Sequence, residues 1–426
     1  MAVQETDATS PRQRILDGAT LAFITFGYDG ASMRTITEYT GYSQAGIAHY
    51  FATKADLLLA AFEQSCKRVI DTFAIGEGSD SVTRLYKIWR AQARIRTDIA
   101  MRAVITAEAS TIGHPTRKQA EQTLNDLKEG IQKALPEIRF PQLMADAWEG
   151  LSVDWLYNAR IDVPLMLKDA YLALADVNDF PALSGVCEKA PPTWDEDAPR
   201  AFQGLERFEA GRVPEDPRQR KILNAAMQVF GDAGYVGGSL RSIAGTLGIT
   251  HPALLRYFPS KNDLLKAVLQ RRDMVLTALG VPPTPRAAVV DGLIHTQQSM
   301  EIPGLIRLFT SLMTRSFQTN TPFHEFFTER KNSLFAINDL IFEGLSEVGE
   351  LRSDLDPIIQ GRLWSAVWDG AQIRWALKQD TSISGALAEY VNQVMVPPLS
   401  KEELEAVNLS LPLEPDLDDG LLAEGA

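Results

Sequence analysis

The sequence predicts an all-α chain in which one helical unit is used twice. Three observations lead there. Apolar residues recur at spacings of three and four, while sustained period-two runs rich in valine, isoleucine and threonine are missing. Two segments match at an offset of 207 residues, Gly27-Tyr28-Asp29-Gly30-Ala31-Ser32-Met33-Arg34-Thr35-Ile36 and Gly234-Tyr235-Val236-Gly237-Gly238-Ser239-Leu240-Arg241-Ser242-Ile243. The chain, at 426 residues, is also too long for one ordinary core. The match runs on through Gly41 and Gly248, Tyr50-Phe51 and Tyr257-Phe258, and Lys54, Asp56, Leu57 and Leu58 against Lys261, Asp263, Leu264 and Leu265. A Pro-Arg-Gln-Arg opening recurs at Pro11 and Pro217, one residue out of phase. Repetition over this distance marks a duplicated unit.

Each unit reads as four short helices. Ile15, Leu16, Ala19 and Phe23 give the first its apolar stripe, and Ile222, Leu223, Ala226 and Phe230 repeat it. Gly27 and Gly234 stand where that helix should stop. Ser32 and Ser239 are placed to cap the second helix. Gly41 and Gly248 supply a tight turn, and Ser43 and Thr250 cap the third helix. Ile47 with Phe51, and Leu254 with Phe258, turn its inner side to the core. The fourth helix begins near Lys54 and Lys261. A capped helix, a glycine turn and a second capped helix make a helix-turn-helix, whose second helix reads the DNA major groove. Two unrelated helical hairpins would not share this punctuation.

The repeat divides the chain. Residues 1–70 are a first helix-turn-helix domain and 71–177 a first helical regulatory domain. Residues 178–216 are a linker, 217–276 a second helix-turn-helix domain, 277–399 a second regulatory domain and 400–426 an acidic tail. The linker carries Pro181, Pro191, Pro192, Pro199 and Pro214 around Asp195-Glu196-Asp197, with Phe202, Leu205 and Phe208 spaced for a short helix. A second break falls at Val281-Pro282-Pro283-Thr284-Pro285. From Lys401 onward a single basic residue faces Glu402, Glu403, Glu405, Glu414, Asp416, Asp418, Asp419 and Glu424, so the tail is expected to be mostly disordered.

With 45% hydrophobic and 23% charged residues the composition is that of a soluble globular protein. Met1 to Ser10 lacks the features of a signal peptide, and no stretch is apolar enough to span a membrane. Two cysteines, Cys66 and Cys187, in so long a chain suit a reduced, cytoplasmic protein. A net charge of −13 argues, taken alone, against nucleic acid. Local charge differs. From Pro217 to Arg272, nine basic residues (Arg218, Arg220, Lys221, Arg241, Arg256, Lys261, Lys266, Arg271, Arg272) face Asp232 and Asp263, a balance of +7. From Pro11 to Cys66, Arg12, Arg14, Arg34 and Lys54 face Asp17, Asp29, Glu38, Asp56 and Glu63, a balance of −1. Only the second unit has the electrostatic footprint of a DNA binder.

These residues resemble the TetR family of bacterial regulators. The resembling motif is Gly-Tyr, a serine cap with isoleucine, Gly-x-Ser/Thr, then Tyr-Phe-x-x-Lys-x-Asp-Leu-Leu, over about fifty residues in each unit. Further on, Trp148-Glu149-Gly150-Leu151-Ser152-Val153-Asp154-Trp155 is similar to Trp368-Asp369-Gly370-Ala371-Gln372-Ile373-Arg374-Trp375. In the family this pattern lies on the penultimate helix, which helps build a four-helix dimer interface. The chain departs in two ways. Ala48 and Leu255 stand where most members have a tyrosine, and members usually carry one DNA-binding domain and pair as homodimers. The resemblance therefore implies two tandem TetR-like units that pair within one chain as a pseudo-dimer, with higher homo-oligomers left open.

The recognition helices run Ser43-Gln44-Ala45-Gly46-Ile47-Ala48-His49-Tyr50 and Thr250-His251-Pro252-Ala253-Leu254-Leu255-Arg256-Tyr257. Residues near such a helix start reach base edges. Gln44 suits adenine, and Arg256 suits guanine or a phosphate. Arg34, Thr35 and Lys54, with Arg241, Ser242 and Lys261, are expected to grip phosphates. Ser43, Ala45, His49, Tyr50, Thr250, His251, Pro252 and Tyr257 complete the expected interface with a double-stranded operator.

The expected function is a sequence-specific transcriptional regulator, a repressor by preference, under a small apolar effector. Phe309, Met313, Phe317, Phe323, Phe327 and Trp364 are the candidate pocket, although ordinary helical core is the better account of any one of them taken singly. The alternative leaves DNA to the second head, the first serving dimerisation or a protein partner. An enzyme is not expected. His49, His114, His251, His295 and His324 are scattered without metal-ligand spacing, and no phosphate loop or nucleophile elbow occurs. No metal or cofactor is implied.

Overall fold

The computed structural model describes residues 10–111, 113–175, 217–278, 281–300, 303–379 and 382–409. The proposed linker helix at Phe202–Phe208 and Cys187 lie outside these residues. The first half consists of α1 (Pro11–Gly30), α2 (Met33–Thr40), α3 (Gln44–Ala48), α4 (Lys54–Asp71), α5 (Ser81–Gln92), α6 (Arg96–Glu108), α7 (Arg117–Ala134), α8 (Pro141–Tyr157) and α9 (Val163–Leu174). The second half repeats the order with α10 (Pro217–Gly237), α11 (Leu240–Thr246), α12 (His251–Tyr257), α13 (Lys261–Ala278), α14 (Pro285–Ser299), α15 (Pro303–Arg315), α16 (His324–Glu347), α17 (Pro357–Lys378) and α18 (Ile383–Val394). A last helix, α19 (Lys401–Leu409), follows. The all-α expectation holds, and none of the described helices is long and apolar enough to cross a membrane.

Capping residues set the starts. Ser32, Ser43, Thr53 and Asp80 each accept a backbone N–H three residues on, as do Ser239, Thr250 and Thr284 in the second half. Gly27 and Gly234 adopt left-handed φ of 69° and 67°. They kink α1 and α10 instead of ending them, and one more turn follows each. Only glycine takes that conformation without strain.

The halves pack on each other through α8 and α17, which make the most extensive helix–helix contact in the molecule. Both helices are buried on nearly every side, so their apolar periodicity is weak. They approach backbone to backbone. A Cβ at Gly150 would lie 1.9 Å from the Ala366 carbonyl oxygen, and one at Gly370 would lie 1.9 Å from that of Asp146. The Trp148 indole donates to Gln92 at 3.0 Å, and Trp89 stacks edge-on between Trp148 and Trp155. At the far end Arg352 reaches the carbonyls of Leu172 and Ala173 across the halves.

The acidic tail opens with an ordered helix. Residues Lys401–Leu409 fold as α19 and dock on α14, with Val407 buried. Arg286 grips Glu403 with two N–H groups at 2.7 and 2.9 Å, and this pairing pushes the Glu403 carboxyl down to about 2. Counting acidic residues missed that one of them faces a partner far away in sequence. Residues 410–426 lie outside the described part.

Candidate nucleic-acid interface

In each half, a short helix packs on the second helix of the head and exposes its outer side. In the first head, α3 packs on α2 and Ile47 and Phe51 are buried, while Gln44, Ala45, Ala48, His49 and Tyr50 are exposed. The His49 and Tyr50 rings meet edge to face at 5.0 Å. In the second head Leu254 and Phe258 are buried, Pro252 and Arg256 are exposed, and His251, Leu255 and Tyr257 are half-buried. The helix is longer here, seven residues against five.

Several expected contacts have a structural task first. The Ser43 hydroxyl accepts from the Gly46 N–H at 3.1 Å, and that of Thr250 from the Ala253 N–H at 3.3 Å. The Thr35 hydroxyl is paired with that of Ser32 at 2.8 Å, and Ser242 closes a capping box with Ser239. Arg34 is exposed and paired with Glu38 one turn on, whereas Arg241 is exposed on α11.

The two lysines lie against the first helices while staying partly exposed. Lys54 Nζ donates to the Tyr28 carbonyl at 2.8 Å and sits 4.2 Å from the centre of that ring. This satisfies a carbonyl freed by the kink at Gly27. Lys261 lies 5.7 Å from the centre of the Phe230 ring, and burial lowers its pKa. Sequence spacing put both at the start of the fourth helix but carried no sign of these contacts.

Two cations counted only as charge in the sequence belong to the first head's surface. Arg12 lies over the Phe51 ring at 5.2 Å, and Arg14 Nε donates to the Tyr42 hydroxyl at 3.0 Å. Both flank α3. Their recurrence in the Pro-Arg-Gln-Arg opening was the available signal.

The base of the first head is tied to both halves. Glu108, at the end of α6, accepts the Tyr28 N–H at 2.9 Å and pairs with Arg315 of the second half at 3.3 Å. Gly27 makes room for it, since a Cβ there would collide with the carboxylate. His114 packs edge-on against Tyr28, and burial pushes its pKa down to about 4. Gln318 donates to the Ile24 carbonyl at 2.9 Å, a second tie from the other half.

The aromatic cluster of the second half is packed. Phe309, Met313, Phe323, Phe327 and Trp364 are buried, Phe317 is half-buried, and the Phe309 and Phe327 rings meet at 5.3 Å. Two open clefts occur in the first half. One of about 280 Å³ lies between α4 and α7, lined by Phe62, Cys66, Ile70, Thr123 and Asp126 among others. Another of about 370 Å³ lies between α1, α4 and the start of α6, beside Arg68, Arg96 and Asp98. Burial raises the Cys66 thiol to about 12, so it is not a poised nucleophile. Among the described residues no group of three histidine, cysteine or acidic side chains is arranged to hold a metal.

Comparison with known proteins agrees with the repeat. The family model described as "Bacterial regulatory proteins, tetR family" matches twice, at residues 15–61 and 222–268. The chain is similar to the HTH-type transcriptional activator FasR of Mycolicibacterium smegmatis, 43% identical over 60 residues, covering 14% of this chain and 27% of that protein. It is similar to the HTH-type transcriptional repressor AcnR of Corynebacterium glutamicum, 40% identical over 63 residues, 15% of this chain and 34% of that protein. It is also similar to the HTH-type transcriptional repressor KstR of Mycolicibacterium smegmatis, 30% identical over 119 residues, 26% of this chain and 56% of that protein. The chain thus spans between about a quarter and just over half the length of these relatives.

Proposed function

The chain is a tandem member of the TetR family, and on that premise we propose that it is a cytoplasmic regulator of transcription that reads double-stranded DNA as its own dimer. Two unlike heads then address two unlike half-sites, and occupation of the operator represses. The observation that carries the reading is the pair of capped recognition helices. Both keep a buried inner side, and their exposed sides differ: Gln44, Ala45 and His49 in one, Pro252 and Arg256 in the other. Gln44 suits adenine, and Arg256 suits guanine. Lys54 and Lys261, tied to the ends of the first helices, support those ends and bring positive charge to the backbone of the duplex.

The charge balance of +7 against −1 favours the second head as the stronger grip, because released counterions supply much of the affinity. Effector control belongs to the same reading. The cleft beside Phe62 and Ile70 offers more room than the packed aromatics of the second half, and its many charged and amide side chains suit a polar effector with a small apolar part.

The test is binding of the full chain to genomic fragments, followed by footprinting of the bound ones with wild type, Gln44→Ala and Arg256→Ala. Each substitution is expected to weaken protection over one half-site and leave the other. Equal protection of an unbroken palindrome, or no bound fragment at all, would overturn the proposal.

A further inference from the structure

The halves share a fold and a joining surface, but the charges on that surface are opposite. Helices α6 and α15 have equal length and an offset of 207, so Glu108 and Arg315 occupy the same position of the repeated unit. They meet each other, Arg315 Nη1 lying 3.3 Å from Glu108 Oε1. Helices α8 and α17 register at an offset of 220, Trp148 on Trp368 and Gly150 on Gly370. In that register Asp154 corresponds to Arg374, and Asp146 to Ala366. Arg374 grips Asp146 with Nε on Oδ1 and Nη2 on Oδ2, 3.0 Å each, and both side chains are 3% exposed. Lys331 stands where the first half has Leu124, and it donates to Asp154 across the halves and to Asp369 beside it, 2.6 Å each. In each of these three cross-half pairs the acid belongs to the first half and the base to the second.

We infer that this surface accepts only the unlike half. A second copy of the first half in place of the second would set Asp146 against Asp154, Glu108 against Glu108, and Leu124 where Asp154 needs a cation. Two copies of the second half would set Lys331 against Arg374 and Arg315 against Arg315, with Ala366 where Arg374 needs a carboxylate. Buried like charges without a counter-ion are costly enough to reject a partner. The residues that fit either pairing, Gly150 with Gly370 and Trp148 with Trp368, are the same in both halves. Duplication released the two copies from the symmetry a homodimer imposes, under which a residue on the axis meets itself. One molecule then always presents one head of each kind, and neighbouring molecules do not trade halves into pairs of like heads. The inference rests on the reading of the chain as its own dimer but not on DNA binding.

The test uses full chains with a protease site inserted between residues 178 and 216. Two versions with different tags on the first half are co-expressed and cleaved, and the nicked complexes are read by native mass spectrometry. A second sample is unfolded and refolded together before reading. Pairing of first with second halves is expected throughout, with first–first and second–second pairs below about one-tenth, whereas random assortment would give about half like pairs. Like pairs near the random share overturn the inference alone. Absence of any first–second pair overturns the underlying reading as well. The variant Asp154→Arg gives the first half a cation opposite Asp146 and sets it against Lys331. It is expected to raise first–first pairs at least fivefold, and an unchanged assortment in soluble variant counts against the charge mechanism.

Discussion

Head one and head two hold their recognition helices in the same way. Ser43 and Thr250 cap them, Ile47 and Leu254 anchor them, and Lys54 and Lys261 fold onto the end of the preceding long helix. Their outer faces share little. Head one shows Gln44, Ala45 and His49 and leans on Arg12 and Arg14, while head two shows Pro252 and Arg256 amid a surplus of basic residues. Residues that make the scaffold stayed alike after duplication, and residues that would meet DNA diverged. Head one is also the head bound at its base by Glu108 to Arg315 of the other half. The halves thus differ at the reading surface and at the surface that joins them.

The largest expected effect lies in the joining surface. Asp146→Ala takes from Arg374 its bidentate carboxylate in a buried site, and a loss of about 3–5 kcal/mol in unfolding free energy is expected. The control is Asp339→Ala, which breaks the Arg362 pair inside the second half, where both side chains keep some exposure, and should cost about 1 kcal/mol or less. Chemical denaturation of the two variants side by side measures the contrast. Equal losses would mean that the halves do not depend on this contact.

Next comes acid sensitivity confined to head one. His114 is buried neutral beside Tyr28, and the equivalent position in the second half is Thr321. Its folded pKa of about 4 lies below the ordinary 6.5. The stability it contributes is therefore complete above pH 6.5 and lost as pH falls toward 4, by about 3 kcal/mol in all. Hydrogen exchange from pH 7 to pH 4.5 should show head one loosening before head two, and His114→Asn should flatten the difference. A uniform response in both heads would break the comparison.

At the reading surface the effects are smaller. Arg256→Ala should cost about 1–3 kcal/mol at one base position and relax specificity there. Lys261→Ala should weaken all sites alike and reduce the salt slope by about one. Titrations at two salt concentrations distinguish the two patterns. If both variants act alike, the division between base and phosphate contact is wrong.

The frame of each head was legible because local rules govern it. A serine or threonine three residues before an open N–H, a glycine at a left-handed turn, and isoleucine or leucine on the inner face leave one arrangement. The joining helices were legible as a repeated Trp-x-Gly pattern. Their ion pairs were not, although Glu108 and Arg315 sit at the same repeat position, because no local rule says that one position meets its own duplicate across an axis. Lys54 shows the opposite case. Its place in the motif suggested a phosphate, and only the fold shows the Tyr28 carbonyl within reach. The tail helix was not legible for the same reason, since Glu403 is held by Arg286 from far along the chain.

Selection of bound sequences from a random duplex pool by the full chain tests the central claim most directly. Two unlike heads predict enriched sites with two dissimilar half-sites about one helical turn apart or more. Substitution of Arg256 should erase the preference in one half and leave the other intact. Enrichment of a perfect palindrome whose two halves respond equally to that substitution would contradict it.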